Sequence, residues 1–197
     1  YIDIIEDAAH AIGTEYHNEK IGQKGTSIFS FHPIKNITSG EGGMFCSDNL
    51  DLVDEIRRLK FHGLGVDAFD RRTQGRSPQA QVIEPGFKYN LPDILAVLGI
   101  QQLSRVEEFN DKRTQLAMHY RKRLTEVEEL RPLTVPLYSH KHSWHLFIVR
   151  LDIETSKLSR NDFMEELKKK ILDAYYGMDS PAETPDEKKT AKKSTKK

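Results

Sequence analysis

Short apolar runs alternate along this chain with longer stretches in which apolar residues recur every three or four positions. Residues 1–5, Tyr-Ile-Asp-Ile-Ile, are short, β-branched and bounded by charge, which predicts a buried strand of a parallel sheet. Residues 27–31 and 44–47 predict two more strands, the second entered through a Gly-Gly turn at 42–43. Residues 144–151 predict a further strand.

Helical spacing of the apolar positions predicts the other half of the fold. Asp48 or Asn49 can cap a helix that Gly63 or Gly65 would stop. Pro92 suits the first turn of a helix that runs to about Val106. Two more helices are predicted, one capped by Asn110 and one amphipathic helix that begins at Ser159. Alternating strands and helices make the body of the chain α/β.

Two segments show neither the short apolar runs of strands nor the apolar spacing of helices. Residues 66–89 are polar, contain several glycines and prolines, and predict a long loop of the kind that is usually functional or disordered. Residues 177–197 hold almost no large apolar residue and end in repeated lysines, so we expect a disordered tail. A solvated end is a better interpretation of those lysines than an anion-binding or nucleic-acid-binding tail.

Composition limits the classes of partner. Of the 197 residues, 30 are Lys or Arg and 30 are Asp or Glu, so no global field favours nucleic acid or a membrane surface. The single cysteine, Cys46, cannot form an intramolecular disulfide and fits a reducing, cytoplasmic compartment. No apolar run approaches the roughly 20 residues of a transmembrane helix. The chain has no initiator Met and begins as though inside a sheet, which suggests a fragment.

The strongest candidate chemistry lies around Lys35. It stands in Ser-Phe-His-Pro-Ile-Lys-Asn at 30–36, close to Gly-Glu-Gly-Gly at 40–43, and Asp7 follows the first predicted strand. A lysine that must form a Schiff base, together with a carboxylate that keeps a pyridine nitrogen protonated, is what a pyridoxal phosphate enzyme needs. Carboxylates at strand ends of open α/β sheets commonly face a ligand crevice.

Each of these residues also has a purely structural explanation. Asp7 could be a turn or helix cap, at about even odds. Taken singly, His10 is more often a hydrogen-bonded structural histidine, Ser30 satisfies local backbone, and Lys35 is a surface lysine. The joint pattern of two polar clusters at strand ends favours the cofactor site.

The motifs resemble those of a known family. Glu-Asp-Ala-Ala-His at 6–10, Ser-Phe-His-Pro-Ile-Lys-Asn-Ile-Thr at 30–38 and Gly-Glu-Gly-Gly at 40–43 resemble the DegT/DnrJ/EryC1/StrS sugar aminotransferases. Residues 60–71 and 85–91 are similar to the branch of that family that forms UDP-4-amino-4-deoxy-L-arabinose. The resemblance runs from Tyr1 to about Leu172.

That resemblance implies a role for each candidate residue. Lys35 would form the Schiff base with pyridoxal 5'-phosphate and then shuttle a proton, and Asp7 would pair with the pyridinium nitrogen. His10 would neighbour the cofactor's phenolic oxygen, and Ser30 would contact its phosphate. Asn90 matches a residue that reaches the partner's phosphate across a homodimer interface. Relatives that dehydrate rather than aminate replace the lysine by histidine, so Lys35 favours transamination.

The resemblance also implies an architecture and a reaction. The fold would be a partial fold-type I transferase, with a mostly parallel sheet flanked by helices. Residues 1–109 would belong to the large cofactor domain, residues 110–176 would begin a small α/β domain, and residues 177–197 would form the tail. The parent reaction would move an amino group from glutamate to a 4-keto nucleotide sugar in lipid A and other polysaccharide biosynthesis. The alternatives are a different nucleotide sugar and a non-catalytic fragment that only binds a partner.

Two weaker patterns stay open. Ser-His-Lys-His-Ser-Trp-His at 139–145 resembles a metal cluster but lacks well-spaced Cys or carboxylate ligands, so we predict no metal. The pairs Arg57–Arg58 and Arg71–Arg72 are interpreted as a helix face and a loop, although the second could meet a nucleotide diphosphate.

Overall fold

The computed structural model describes residues 2–65 and 81–176. Most of the predicted loop at 66–89, the Arg71–Arg72 pair and the predicted tail at 177–197 lie outside the described residues. The remainder divides into two compact units, the first formed by residues up to 125 together with 132–148, the second by 126–131 and residues from 149 onward. The predicted boundary at 109/110 concerns domains of a whole enzyme and stays a prediction.

A three-stranded sheet forms the centre of the first unit. Its strands are β1 (Ile5–Asp7), β4 (Thr26–Ser30) and β5 (Gly43–Ser47), in the order β1-β4-β5. β1 runs parallel to β4, with Asp7 opposite Ile28, whereas β5 runs antiparallel to β4, with Gly43 opposite Ser30. The α/β class is therefore confirmed.

A smaller antiparallel sheet joins distant parts of the first unit. Strands β2 (Glu15–Tyr16) and β3 (Glu19–Lys20) form a hairpin, and β7 (His140–Lys141) pairs with β2. His17 and Asn18 form the turn with positive φ at both positions, the geometry that tight hairpins favour. This sheet brings the 139–145 segment back against the beginning of the chain.

Three helices complete the described part of the first unit: α1 (Leu50–Leu59), α2 (Asp93–Leu103) and α3 (Val106–Leu124). The predicted cap is confirmed for α1, where the Asn49 side chain accepts a hydrogen bond from the backbone N–H of Leu52 at 3.1 Å. Pro92 occupies the position just before α2 rather than its first turn.

The prediction that Asn110 caps a helix is wrong. The chain breaks its helix at Ser104 and Arg105, so Asn110 lies inside α3 and not at its start. Its side chain is fully buried and hydrogen-bonded to other parts of the first unit. An asparagine in a helix interior is tolerated when its amide finds buried partners of this kind.

Each of the four predicted strands overlaps an observed one, but their extents differ, and β2, β3, β6 (Leu130–Pro132) and β7 were not predicted. β1 starts at Ile5, and Ile2, Ile4 and Ile5 are exposed rather than buried. The strand predicted over 144–151 is only β8 (Val149–Leu151), and it could not begin at Trp144, whose positive φ of 48° lies outside the extended region.

The apolar core of the first unit is small. Its buried residues lie on the β4 face that carries Phe29, on the segment after that strand, and on the start of α3: Ala8, Phe29, Phe31, Ile37 and Val106. Cys46 packs beside it, and burial raises the pKa of the Cys46 thiol, which keeps it protonated. Within the described residues, no helix is both long and apolar enough to cross a membrane.

The second unit contains most of β6 (Leu130–Pro132), which pairs with β8, followed by α4 (Ile153–Ser156) and α5 (Arg160–Tyr176). Asp152 caps α4 through the backbone N–H groups of Glu154 and Thr155 and also pairs with Arg131 at 2.7 Å. Ser159 caps α5 as predicted, because its hydroxyl accepts from the N–H of Asp162 at 3.1 Å.

Candidate functional site

Asp7 and Ser30 lie at the same edge of the central sheet. Because β1 and β4 are parallel, their carboxyl ends meet there. Side chains alternate along a strand, so Asp7, Ile28 and Ser30 share the face opposite Ser27 and Phe29, which are buried. The face that carries the two predicted site residues is therefore the one that the core leaves open.

Each of these two side chains also makes a local contact. Asp7 Oδ1 accepts a hydrogen bond from the backbone N–H of Ala9 at 3.1 Å, and the Ser30 hydroxyl accepts one from the N–H of His32 at 3.4 Å. The Asp7 bond uses one of its two carboxylate oxygens. Asp7 therefore does cap a turn, and Ser30 does bind local backbone. Both side chains can still form further hydrogen bonds.

Lys35 lies in a turn that immediately follows the sheet edge. Its backbone N–H donates to His32 O at 3.0 Å, and the Thr38 hydroxyl and the Ser39 N–H both bind Phe31 O across the same loop. Lys35 is half-buried, and its neighbour Asn36 is buried. The backbone that carries the lysine is therefore fixed.

A polar cluster, which we call the Asn36 network, anchors this turn. It consists of the buried side chains of Asn36, Asn110 and Ser143 and the partly buried ring of His145. Asn36 Nδ2 donates to Asn110 Oδ1 at 2.9 Å and to Ser143 O at 2.6 Å, and Asn110 Nδ2 donates to Ile12 O at 3.0 Å. The Ser143 hydroxyl donates to His10 O at 3.0 Å. The network joins the lysine turn to α3 and to the segment after β1.

His10 and His145 lie against each other. Their ring centroids are 4.2 Å apart at an interplanar angle of 49°, and His145 Nδ1 lies 3.1 Å from Asn36 Oδ1. Burial lowers the pKa of His145, and electrostatic interactions with His10, Lys35 and Arg113 lower it further. Lys35 and His10 are therefore close enough to the same imidazole to influence its charge.

The Gly-Glu-Gly-Gly turn closes against the segment that carries Asn90. Gly42 has a φ of 144°, and a Cβ there would lie 2.8 Å from both Leu91 Cδ1 and Ser39 Oγ. Lys88 Nζ donates to Asn90 Oδ1 at 2.6 Å. Among the described residues, no hydrogen bond joins Asn90 to the other four predicted site residues.

Ion pairs hold the smaller sheet onto α3 beside this region. Glu107 accepts from Lys20 and from Lys141, each at 2.6 Å, and Asp111 lies 3.4 Å from Lys141. The hydrogen bonds from Lys141 and Lys20 lower the pKa of Glu107. These contacts tie β3 and β7 to the helix that carries Asn110.

The histidines of the 139–145 segment do not converge. His140 Nδ1 bonds Tyr138 O at 2.8 Å, His142 stacks on Trp144, and His145 contacts His10. In residues 2–65 and 81–176, no group of three or more His, Cys, Asp or Glu is arranged to hold a metal ion. Of these histidines only His145 adjoins the predicted site.

Sequence reasoning missed Asn110, Ser143 and His145. Their partners are far away in sequence: Asn110 lies 74 positions after Asn36, and His145 lies 109 positions after it. An available signal was an asparagine at the apolar-facing side of a helix pattern, where a polar residue needs a buried partner.

Comparison with known proteins identifies the family. Residues 1–196 match the model of the DegT/DnrJ/EryC1/StrS aminotransferase family. The chain is 56% identical over 167 residues to the UDP-4-amino-4-deoxy-L-arabinose--oxoglutarate aminotransferase of Shewanella sediminis (strain HAW-EB3), covering 85% of this chain and 43% of that protein. The chain belongs to this family, and it spans less than half the length of that curated relative.

Solved structures agree with this assignment. Helicobacter pylori PseC, an aminotransferase involved in the biosynthesis of pseudoaminic acid, matches with a TM-score of 0.73 at 29% identity, over 86% of this chain and 43% of PseC. The PLP form of the sugar aminotransferase Spr1654 from Streptococcus pneumoniae matches with a TM-score of 0.72 at 27% identity, over 91% of this chain and 47% of Spr1654. The α/β fold is therefore that of the sugar aminotransferases.

Proposed function

We propose that this chain carries the catalytic lysine of an aminotransferase that uses pyridoxal 5'-phosphate to aminate a 4-keto nucleotide sugar. The observation that carries the proposal is the shared sheet edge, where the open face with Asp7 and Ser30 adjoins the fixed turn with Lys35. The family match and the 56% identical arabinose-nucleotide relative support the reaction class.

The side chains at this edge fit the cofactor chemically. They supply an amine, a carboxylate, a hydroxyl and an imidazole on Lys35, Asp7, Ser30 and His10. These are the groups that a carbonyl, a pyridine nitrogen, a phosphate and a phenolic oxygen each require. The fixed turn of Lys35 and the buried Asn36 beside it favour a defined position for the amine.

Each residue then has a specific task. Lys35 Nζ would bind the cofactor carbonyl covalently and afterwards carry a proton to and from the substrate carbon. The Asp7 carboxylate would keep a proton on the pyridine nitrogen, and His10 would neighbour the phenolic oxygen. The Ser30 hydroxyl would donate to the phosphate. When bound, pyridoxal phosphate supplies the electron sink for the carbon that exchanges its proton.

Substrates and partners follow from the relatives' chemistry. We propose a UDP-4-keto-pentose as acceptor and glutamate as donor, with 2-oxoglutarate as the co-product, in lipopolysaccharide (lipid A) biosynthesis in the cytoplasm. The working unit would be a homodimer in which Asn90 reaches the phosphate site of the partner. Residues 1–109 would form part of the large domain and residues 110–176 the start of the small one.

A glutamate-dependent amination assay tests the reaction. With UDP-4-keto-pentose, the protein should form the 4-amino sugar, and Lys35→Ala should abolish this activity. Lys24→Ala, which alters an exposed lysine paired with Glu19, is the matched control and should behave as the wild type. Equal activity of Lys35→Ala and Lys24→Ala would refute the proposal.

Asp7→Asn separates chemistry from capping. An amide oxygen can still accept the Ala9 N–H bond, but it cannot stabilise a protonated pyridine nitrogen. A hydrogen bond between charged groups contributes about 1.5–3 kcal/mol, so turnover should fall roughly 10–100-fold while cofactor is still bound. Near-normal turnover would mean that Asp7 is only a cap.

A non-catalytic binding module is the second candidate, and the exposed apolar side chains of α2 favour it. Adding pyridoxal phosphate to the chain distinguishes the two functions. A new visible absorbance band that Lys35→Ala abolishes supports the enzyme, whereas its absence in the wild-type chain supports the module.

A further inference from the structure

The His145 ring lies where the Asn36 network meets the proposed cofactor site. Its Nδ1 is 3.1 Å from the Oδ1 of Asn36, the residue that directly follows Lys35. Its ring centroid is 4.2 Å from that of His10. His145 thus contacts His10 directly through its ring, and it is linked to Lys35 through the neighbouring side-chain amide of Asn36.

Two backbone carbonyls determine how the amide groups of Asn36 and Asn110 are oriented. Ile12 O and Ser143 O can only accept, so the groups that face them must be the NH₂ groups of Asn110 and Asn36. Asn110 Oδ1 then accepts the second hydrogen of Asn36 Nδ2. The remaining group, Asn36 Oδ1, can only accept, and the atom that faces it is His145 Nδ1. That nitrogen must therefore carry a hydrogen.

The charge of the ring follows from its surroundings. Burial and the electrostatic interactions with His10, Lys35 and Arg113 all lower the pKa of His145. Arg113 lies close, since its Nη1 donates to Trp144 O at 3.3 Å. A neutral imidazole with hydrogen on Nδ1 has an unprotonated Nε2, which can only accept a hydrogen bond.

We propose that His145 is a positioning residue of the Lys35 site, held by Asn36 as the Nδ1–H form. Its ring supports His10 from one side, and its bare Nε2 offers a neutral acceptor without adding positive charge next to the lysine. This inference rests on the proposed function for the roles of His10 and Lys35. The hydrogen on Nδ1 follows from the hydrogen bonds alone, without reference to the cofactor.

Nitrogen NMR of the chain labelled with ¹⁵N-histidine measures that form without any cofactor. We expect His145, assigned by loss of its signals in His145→Asn, to show a protonated Nδ1 and an unprotonated Nε2 at pH 7. A protonated Nε2, or a doubly protonated ring at that pH, would overturn the inference.

Two substitutions separate positioning from simple packing. The His145→Asn amide can still donate to Asn36 Oδ1 but lacks Nε2, whereas His145→Leu lacks both. We expect His145→Asn to trap cofactor on Lys35 as well as the wild type after borohydride reduction, while turnover falls about tenfold. His145→Leu should lose both turnover and the trapping of cofactor on Lys35. His119→Asn, an exposed position of α3, is the control.

The pH profile provides a readout that packing would not change. Neutral His145 is the competent form, so wild-type turnover should fall on acidification through its lowered pKa, and His145→Asn should lack that limb. Full turnover of His145→Asn, or wild-type behaviour of His145→Leu, would overturn the inference. Failure of every variant, and of the wild type, to trap cofactor on Lys35 would instead refute the proposed function and leave the NMR result to decide the ring form.

Discussion

The Asn36 network and helix α2 belong to the same compact unit, but the network buries polar side chains whereas α2 exposes apolar ones. In the network, Asn36, Asn110 and Ser143 are polar, buried and hydrogen-bonded to each other or to backbone. In α2, Ile94 is 80% exposed, and Val97 and Ile100 are 59% and 63% exposed. Buried polar and exposed apolar side chains are the two unusual placements in a folded protein.

The contrast shows which parts of the site this chain builds by itself. The network satisfies its own hydrogen bonds, so the lysine turn and its histidines are fixed by contacts within one unit. The apolar residues of α2, with Ile2, Ile4 and Ile5 beside and in β1, form surfaces that isolated proteins normally cover. We therefore expect the Asn36 network to hold Lys35 in place without help from another chain, and we expect the apolar surfaces of α2 and β1 to be covered by a partner.

The largest effect should come from removing the apolar surface of α2. Ile94 and Val97 are three residues apart and share one face of the helix, so Ile94→Gln/Val97→Gln makes that face polar. Full burial of such side chains contributes about 1.5–3 kcal/mol each, so self-association of the chain should weaken by roughly 3 kcal/mol, about 100-fold in dissociation constant. Sedimentation velocity measures the change.

Leu50→Gln/Leu137→Gln is the matched control for that experiment. It replaces two isolated exposed leucines, one in the first turn of α1 and one in the segment before β7. Single exposed apolar residues need no partner, so self-association should not change. Equal weakening by the two double variants would mean that α2 is not a specific contact face.

A smaller effect should come from breaking the network. Asn110→Ala leaves Ile12 O and one Asn36 N–H without their partner in a buried site, which should lower the free energy of unfolding by about 1–3 kcal/mol. Gln115→Ala, an exposed position of the same helix, should stay within about 0.5 kcal/mol of the wild type. Urea unfolding followed by circular dichroism compares the two variants.

Two asparagines show which parts of the structure can be predicted from local sequence. The sequence predicts a cap at Asp48 or Asn49, and Asn49 fills that role because its partner, the N–H of Leu52, is only three residues away. Asn110 was predicted as a cap for the same local reason, but its partners lie 98 and 74 residues away, and only the fold brings them together.

The site residues illustrate the same limit. The motifs were enough to single out Lys35, Asp7, His10, Ser30 and Asn90, and the parallel pairing of β1 with β4 could be expected for an α/β chain. Local sequence could not reveal His145, because its contact with His10 depends on the 139–145 segment returning beside β2. It also could not show that β1 is exposed, since burial depends on what packs over a strand.

The smallest effect concerns the ion pairs between the smaller sheet and α3. Glu107 contacts both Lys20 and Lys141 but is close to solvent, so Glu107→Gln should cost less than about 1 kcal/mol and less still at high salt. The folded-state pKa of Glu107 is lowered from its ordinary 4.5. Its contribution should therefore be present above pH 4.5 and disappear as the pH falls through the folded-state value.

Thermal unfolding of Glu107→Gln and the wild type between pH 3 and 7 checks that sign. The two melting temperatures should differ near neutrality and converge under acid conditions. A difference that grows as the pH falls would show that Glu107 does not act through these lysines.

Covalent trapping of the cofactor tests the central claim, that Lys35 is the residue fixed by this fold for pyridoxal phosphate. The chain is incubated with pyridoxal phosphate, reduced with borohydride, digested and mapped by mass spectrometry, with Lys35→Arg as the control. We predict that the cofactor is found on Lys35 and that Lys35→Arg carries no label. Label on Lys20, Lys24 or Lys60 in place of Lys35 would contradict the account.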